Sequence, residues 1–163
     1  MDALNVIISG VAVFIIGEIF VHFFLAPLHK FKEIKGEIAS VLLFHANNYG
    51  HEYKNIDLAL SSEGGDERII KEMIESLKMW NNDLSKASDE TRAVAAKLIA
   101  VAEGIPFYSF IASIKVVPSK DNIIKARKHL IALSNSFSAD QAVSSAERSD
   151  DICKILNIEF MNE

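Results

Sequence analysis

The chain begins with a nearly unbroken apolar run over residues 3–28, ALNVIISGVAVFIIGEIFVHFFLAPL. A helix of about 20 apolar residues spans the roughly 30 Å hydrocarbon core of a bilayer. Secretory signals have a shorter apolar region between a basic segment and a small-residue cleavage site, whereas here the only charge ahead of the run is the acidic Asp2. The pattern predicts a retained transmembrane helix over 1–27, with a hydrophobic helix buried in the fold as the alternative.

The charges that flank the apolar run predict its orientation. Lys30, Lys32 and Lys35 follow the run, and no basic residue precedes it. Because positively charged residues beside a span stay in the cytoplasm, we expect the N-terminus outside and residues 30–163 in the cytoplasm.

A second apolar pattern follows Pro27, with the three-and-four spacing of an amphipathic helix. Its apolar positions are Leu28, Phe31, Ile34, Ile38, Val41 and Leu42. We expect a juxtamembrane or stalk helix over 28–49 that continues from the span with a bend at Pro27. It would lie on the membrane surface or pack between subunits. Residues 50–65, which end in Gly64-Gly65, are predicted to be a loop.

The rest of the chain, 66–163, is predicted to be a cytosolic helical domain, in which residues 66–157 form one helical bundle. One predicted helix begins at Asp66. The next begins at the capping sequence Ser88-Asp-Glu-Thr91 and ends at Gly104. A short helix after Pro106 is predicted to bury Phe107, Phe110 and Ile114.

Two more helices complete the predicted bundle. Ser119 is expected to cap a helix that runs to about Phe137, and the last helix covers about 139–157. Their predicted core positions are Ile123, Ile124, Leu130, Ile131, Leu133 or Ser134, Ala142, Val143, Ala146, Ile152, Ile155 and Leu156. The predicted fold class is therefore all-α: an N-terminal transmembrane helix followed by a cytosolic helical bundle.

Composition narrows the classes of function. Proteins that bind nucleic acids in general carry an excess of basic residues, whereas this chain has a formal net charge of −5. Neither DNA nor long RNA is therefore an expected partner. The single Cys153 excludes an intramolecular disulfide and fits a reducing cytoplasm, where we expect it to be a small core residue.

Signatures of catalysis and metal binding are absent from the sequence. It contains no glycine-rich phosphate loop, G-x-S-x-G, H-E-x-x-H or C-x-x-C pair, and its five histidines lack metal-ligand spacing. We therefore predict no catalytic residue, no metal and no cofactor, so the protein is not expected to be an enzyme. A hydrolase of unrecognised type is the least favoured class.

Two ionisable side chains interrupt the apolar run. Glu18 and His22 are four apart and share a helical face, while Gly10 and Gly17 form a second stripe where another backbone can approach. Ionisable groups at that depth normally face a partner or water. They either bond across an oligomer interface or line a pore, and both require a homo-oligomer. Otherwise Glu18 is protonated and merely tolerated.

The chemistry-bearing segment is 115–129, KVVPSKDNIIKARKH, with five basic residues against the single acid Asp121. The helix predicted to start at Ser119 adds exposed N–H groups that favour anions. The segment is an anionic or nucleotide ligand site, a solvated helix face, or a contact for lipid headgroups. Candidate ligand-binding residues are Lys115, Ser119, Lys120, Asn122, Arg127, Lys128, His129 and Asn135. Phe107, Tyr108 and Phe110 either stack a base or belong to the core.

Several stretches together resemble a known group of proteins. They are IISGVAVFIIGEIF, KGEIASVLLFHANNY, IPFYSFIASIKVVPS, NIIKARKHLIALSNS and DDICKILNI. The chain resembles the small single-span membrane effectors of type III CRISPR antiviral systems in size, order of parts and general character. The resemblance implies a tetramer in the bacterial inner membrane whose cytosolic domain binds cyclic tetra-adenylate and then alters the membrane.

Two hypotheses of function follow. The leading one is a ligand-gated, non-enzymatic membrane effector that senses a cyclic oligoadenylate. The alternative is a membrane-anchored scaffold that binds a protein partner through its bundle, in which Lys115–His129 would be solvated or protein-facing and Glu18 would serve assembly alone.

Overall fold

The computed structural model describes residues 3–46, 67–136 and 142–158, and the regular elements in these ranges are all helical. They are α1 (Ala3–Phe20), a π-helical turn (Val21–Leu25), α2 (Ala26–Phe44), α3 (Glu67–Glu103), α4 (Tyr108–Ser113), α5 (Lys120–Asn135) and α6 (Ala142–Leu156). The predicted all-α fold class is confirmed. The predicted loop 50–65 lies outside the described residues.

The apolar run and the helix after it form one continuous element. Leu25 and Ala26 both have right-handed helical backbone angles, so the helix does not break at Pro27. The irregularity is instead the π turn just before it, in which the Ala26 N–H donates to the Val21 carbonyl. Proline has no N–H, and its ring clashes with the carbonyl four residues earlier in a regular α-helix. A widened turn relieves that clash and keeps the helix intact.

One helix among the described residues is long and apolar enough to cross a membrane, Asn5–Phe44. Its most apolar stretch is not buried against the rest of the protein. By length and composition the N-terminal helix is therefore consistent with a membrane anchor.

The apolar face of α2 is buried as its spacing predicted, but in the core of its own chain. Phe31, Ile34, Ile38 and Leu42 are buried there together with residues of α3, α5 and α6. This face is therefore not available to a membrane surface or to another subunit, and α2 is part of the bundle.

The predicted helix start at Ser88 is wrong, because α3 runs unbroken from Glu67 to Glu103. The buried Ser88 hydroxyl donates to the Ser134 carbonyl of α5 at 2.9 Å, and the Thr91 hydroxyl donates to the Ala87 carbonyl at 2.7 Å. Both hydroxyls are thus used inside a continuing helix and in helix packing. The predicted end at Gly104 is confirmed.

Two polar contacts show the relative direction of α2 and α3. His45 at the end of α2 is buried, and its Nε2 donates to Glu90 Oε2 of α3 at 2.7 Å. Lys97, further along α3, pairs with Glu37. The two helices are therefore antiparallel, and the end of α3 returns to the start of α2. The segment from Gly104 to Ser119 consequently lies at the end of the bundle next to α1.

The short helix α4 is turned about its axis relative to the prediction. Tyr108 and Ile111 are buried, whereas Phe107, Phe110 and Ile114 are exposed. Phe107 precedes the helix with a left-handed φ of 52° and therefore does not continue the helical phase that the spacing assumed. The Tyr108 hydroxyl secures the observed orientation by donating to the Pro118 carbonyl at 2.6 Å.

The other predicted core positions are only partly confirmed, because some are buried and others are exposed. Ile123, Leu130, Leu133, Ser134, Ile152 and Leu156 are buried, but Ile124 and Ala146 are exposed, and Ala126 and Ser145 take buried positions instead. Cys153 is a buried core residue, as predicted. Burial, together with the charge of Asp150, raises the pKa of its thiol.

We expect Leu98→Ala to lower the free energy of unfolding by about 2–5 kcal/mol, because Leu98 is fully buried in the common core. Chemical denaturation of the detergent-solubilised chain measures the change. The matched control is Leu43→Ala, since Leu43 is 61% exposed and its truncation should stay within about 0.5 kcal/mol. Equal losses in both variants would contradict the described core.

Candidate functional site

Three of the candidate ligand residues line one groove on the surface of the bundle. Lys115, Ser119 and Asn122 meet Lys35 of α2 and Asn157, which follows α6. The groove has a volume of about 500 Å³. Its other lining residues are Ala112, Val116, Val117, Pro118, Ile155 and Leu156. The groove is therefore built where the starts or ends of three helices come together.

The start of α5 forms one wall of the groove. Ser119 is the N-cap in extended conformation, and its Oγ accepts from the Asn122 N–H at 3.2 Å. This confirms the predicted cap. The remaining N–H groups of the first turn have no partner within a helix, and the helix dipole adds partial positive charge at this end.

Lys115 forms the turn between α4 and α5. It has a left-handed φ of 61°, its N–H donates to the Ala112 carbonyl at 3.0 Å, and the Val116 N–H donates to the Ile111 carbonyl at 3.3 Å. These two bonds are the Schellman arrangement, in which glycine is the usual residue. A lysine here carries a backbone cost of about 1 kcal/mol and supplies an exposed ammonium group.

Lys35 comes from the other side of the groove. Its Nζ donates to the Asn157 carbonyl at 2.8 Å. Asn157 has a φ of 53° and ends α6 with the same pair of bonds, from Asn157 to Lys154 and from Ile158 to Cys153. The ammonium therefore also satisfies a carbonyl beside a helix C-terminus, where positive charge is favourable.

The electrostatic character of the groove follows from these parts. Its lining residues include the ammonium groups of Lys35 and Lys115, the amides of Asn122 and Asn157, and no carboxylate. The helix start at Ser119 adds partial positive charge to the groove. The arrangement can bind an anion such as a phosphate by charge-assisted hydrogen bonds.

Lys120 lies on the other side of the start of α5. Its Nζ is 5.9 Å from the ring centre of Tyr108, over the ring face. It lines a smaller cavity of about 100 Å³ with Glu103 and Ile124. Burial raises the pKa of the Tyr108 hydroxyl to about 12.

The other candidate ligand residues spread along α5. Arg127 and Lys128 are exposed, and His129 is half-buried. Asn135 ends α5, about 24 Å from Ser119 at roughly 1.5 Å per residue, and its Oδ1 accepts from Arg92 at 2.8 Å. The structure thus brings Lys115, Ser119 and Asn122 together and leaves the other five candidates, including Lys120, outside the groove.

The polar groups of the apolar run are exposed on the surface of the chain. His22 Nδ1 lies 3.4 Å from Glu18 Oε2 and 3.0 Å from the Glu18 carbonyl oxygen. Apart from its chain neighbours and its own helix backbone, a Cβ added at Gly10 or Gly17 would meet no atom within 4 Å. All four residues are therefore open to contacts from outside the chain.

Sequence reasoning missed Lys35 and Asn157 as parts of the site. The sequence singles out Lys35 only by its charge beside the apolar run, and no local signal links it to a residue 122 positions away. Asn157 carried one usable signal, because asparagine is a favoured residue for the left-handed position after a helix.

Comparisons with known proteins add no relative: no family model matches the chain, and no curated protein or solved structure is significantly similar. Over the described part of the chain, no group of three His, Cys, Asp or Glu residues is placed to hold a metal ion. The function of the groove must therefore be argued from its own chemistry.

We expect Ser119→Ala to lower the free energy of unfolding by about 1 kcal/mol, because it removes the acceptor for the Asn122 N–H. Denaturant titration of the full chain provides the measurement. Ser85 is exposed within α3, so Ser85→Ala serves as the matched control and should be neutral or slightly stabilising. A neutral result for Ser119→Ala would contradict its role as a cap.

Proposed function

We propose that this protein is a membrane-anchored effector whose cytosolic bundle binds a cyclic oligoadenylate, such as cyclic tetra-adenylate, and then perturbs the inner membrane. In this proposal α1 crosses the membrane with its N-terminus outside. The single observation that carries it is the convergence of Lys35, Lys115 and the α5 helix start in one groove.

The chemistry of the groove suits one phosphate of such a ligand. Each ammonium can make a charge-assisted hydrogen bond, and the amides of Asn122 and Asn157 can donate to the same anion or to an adenine edge. One groove holds only a part of a cyclic tetranucleotide. A symmetric homo-oligomer, in which several copies present the same groove, would match the symmetry of the ring.

The path from the groove to the membrane is short. Lys35 belongs to α2, and α2 is continuous with α1 through the π turn. A ligand that holds Lys35 against the start of α5 favours one arrangement of α2 within the bundle. Since no break separates α2 from α1, that preference reaches Glu18 and His22 directly.

Two substitutions separate ligand binding from folding. Lys115→Gly removes the ammonium, and glycine suits the left-handed turn, so stability should rise by up to about 1 kcal/mol. We expect cyclic tetra-adenylate to bind this variant roughly ten- to a hundred-fold more weakly, as for the loss of one charged hydrogen bond. Isothermal titration calorimetry of the full chain in nanodiscs measures the affinity, which should also fall with added salt.

Ser119→Asp provides the second test, since aspartate keeps the cap but adds a negative charge to the groove. Ser119→Asn supplies a neutral side chain of the same shape. The difference in ligand affinity between Ser119→Asp and Ser119→Asn therefore reports the effect of the charge alone. Lys125→Gln, an exposed lysine of α5 outside the groove, controls for net charge. If micromolar ligand does not bind the wild type, the sensor proposal fails and the scaffold becomes the preferred function.

We expect Glu18→Gln to abolish ligand-dependent toxicity in cells while leaving ligand affinity unchanged, because Glu18 is in the apolar run and far from the groove. Growth after induction of the signal provides the readout. Glu33→Gln is the matched control, since Glu33 pairs with His29 in the same four-residue spacing but lies outside the run. Undiminished toxicity of Glu18→Gln would limit α1 to an anchoring role.

A further inference from the structure

The end of the bundle next to α1 carries an exposed apolar patch. It comprises residues of α4 and its flanks that are all more than half exposed, Phe107 at 71%, Phe110 at 65% and Ile114 at 56%. The opposite side of α4 is also apolar, since Tyr108 and Ile111 are buried against the bundle. A helix that is apolar on both sides is expected to be covered on both sides.

The position of the patch relative to α1 indicates what covers it. The ring of Phe107 stacks on Phe24 with centroids 6.0 Å apart and an interplanar angle of 8°, and Phe24 in turn stacks on Phe20 at 5.3 Å. Counted from Asn5, Phe24 is the twentieth residue of the long apolar helix, about 30 Å along it. That length equals the thickness of a hydrocarbon core, so the stack marks its cytoplasmic boundary.

The charges around the patch fit the same location. Lys115 directly follows Ile114, Lys120 begins α5, and Lys30 lies a short way beyond Phe24 on α2; all three are exposed. Basic residues that flank aromatic and aliphatic side chains are typical of helices at the level of lipid headgroups. Their ammonium groups can contact anionic headgroups while the apolar side chains enter the bilayer.

We propose that α4 and its flanks form a second membrane contact, in which Phe107, Phe110 and Ile114 insert into the cytoplasmic leaflet beside α1. The occupant of the patch is the lipid bilayer. This inference rests on the proposal that α1 crosses the membrane. It adds that the bundle lies directly against the leaflet, with the loop between α3 and α5 as the contacting element.

Depth-dependent quenching of tryptophan fluorescence tests the proposal on the full chain. Trp80→Phe removes the only native tryptophan, and Phe110→Trp and Ile114→Trp then each place one indole in the patch. The protein is reconstituted into vesicles of phosphatidylcholine and phosphatidylglycerol that carry bromine either near the headgroup end or near the methyl end of the acyl chains. We expect both indoles to emit at shorter wavelength than in water and to lose more fluorescence to the shallow bromine.

Two control positions use the same background. Phe44→Trp places an indole at a 73% exposed site about 30 Å along the helix from Phe24, where neither bromine should quench it. Phe14→Trp places one in the middle of the apolar run, where the deep bromine should quench most strongly.

The control positions show whether a negative result concerns the second membrane contact or the membrane span itself. If Phe14→Trp is quenched but both patch indoles emit as in water, the second membrane contact is overturned while the span stands. If the patch indoles emit at short wavelength without quenching, protein covers the patch, as a second copy of the chain would, and the proposal is equally overturned. If Phe14→Trp is not quenched, both the anchor and the contact that rests on it fail.

Discussion

One long helix with two incompatible environments determines the architecture. From Asn5 to Phe44 the backbone is continuous, yet the first half exposes its apolar side chains and the second half buries its apolar face in the core of the bundle. Hydrophobic burial is the dominant favourable term in folding, so the second half cannot leave the bundle without a large loss of stability. The first half consequently extends from the bundle as a fixed projection.

The groove depends on that constraint. Antiparallel packing of α3 on α2, marked by the His45–Glu90 and Lys97–Glu37 pairs, returns the chain to the end of the bundle next to α1. The turn at Lys115, the cap at Ser119 and the end of α6 at Asn157 then lie close together. Each of these three residues starts or ends a helix in an ordinary way. The positive character of the groove follows from which residues carry out those functions, above all a lysine where glycine is usual.

Local signals explain what could be predicted from the sequence. The buried face of α2, the cap at Ser119, the end at Gly104 and the core position of Cys153 follow from spacing and capping chemistry within a few residues. Of the site, Lys115, Ser119 and Asn122 could be found because they lie close together in the chain.

The predictions from the sequence are wrong or incomplete where tertiary contacts outweigh those local signals. Ser88 looks like a helix start because serine is a good cap, but its hydroxyl bonds to a carbonyl of α5, a partner invisible to local reasoning. The left-handed Phe107 shifted the faces of α4, and Lys35 joined the site through a contact across most of the chain. Each error involves a partner or backbone angle that the neighbouring residues do not specify.

The π turn at Val21–Leu25 has a geometric consequence for the whole molecule. A π-helical turn accommodates about one residue more than an α-helical turn, and one residue corresponds to roughly 100° of rotation about the axis. A helical wheel drawn without interruption from Ala3 to Phe44 therefore misaligns the two halves by about that angle. The azimuth of the bundle around the axis of α1, and with it the direction in which Glu18 points relative to the groove, is determined by this single extra residue.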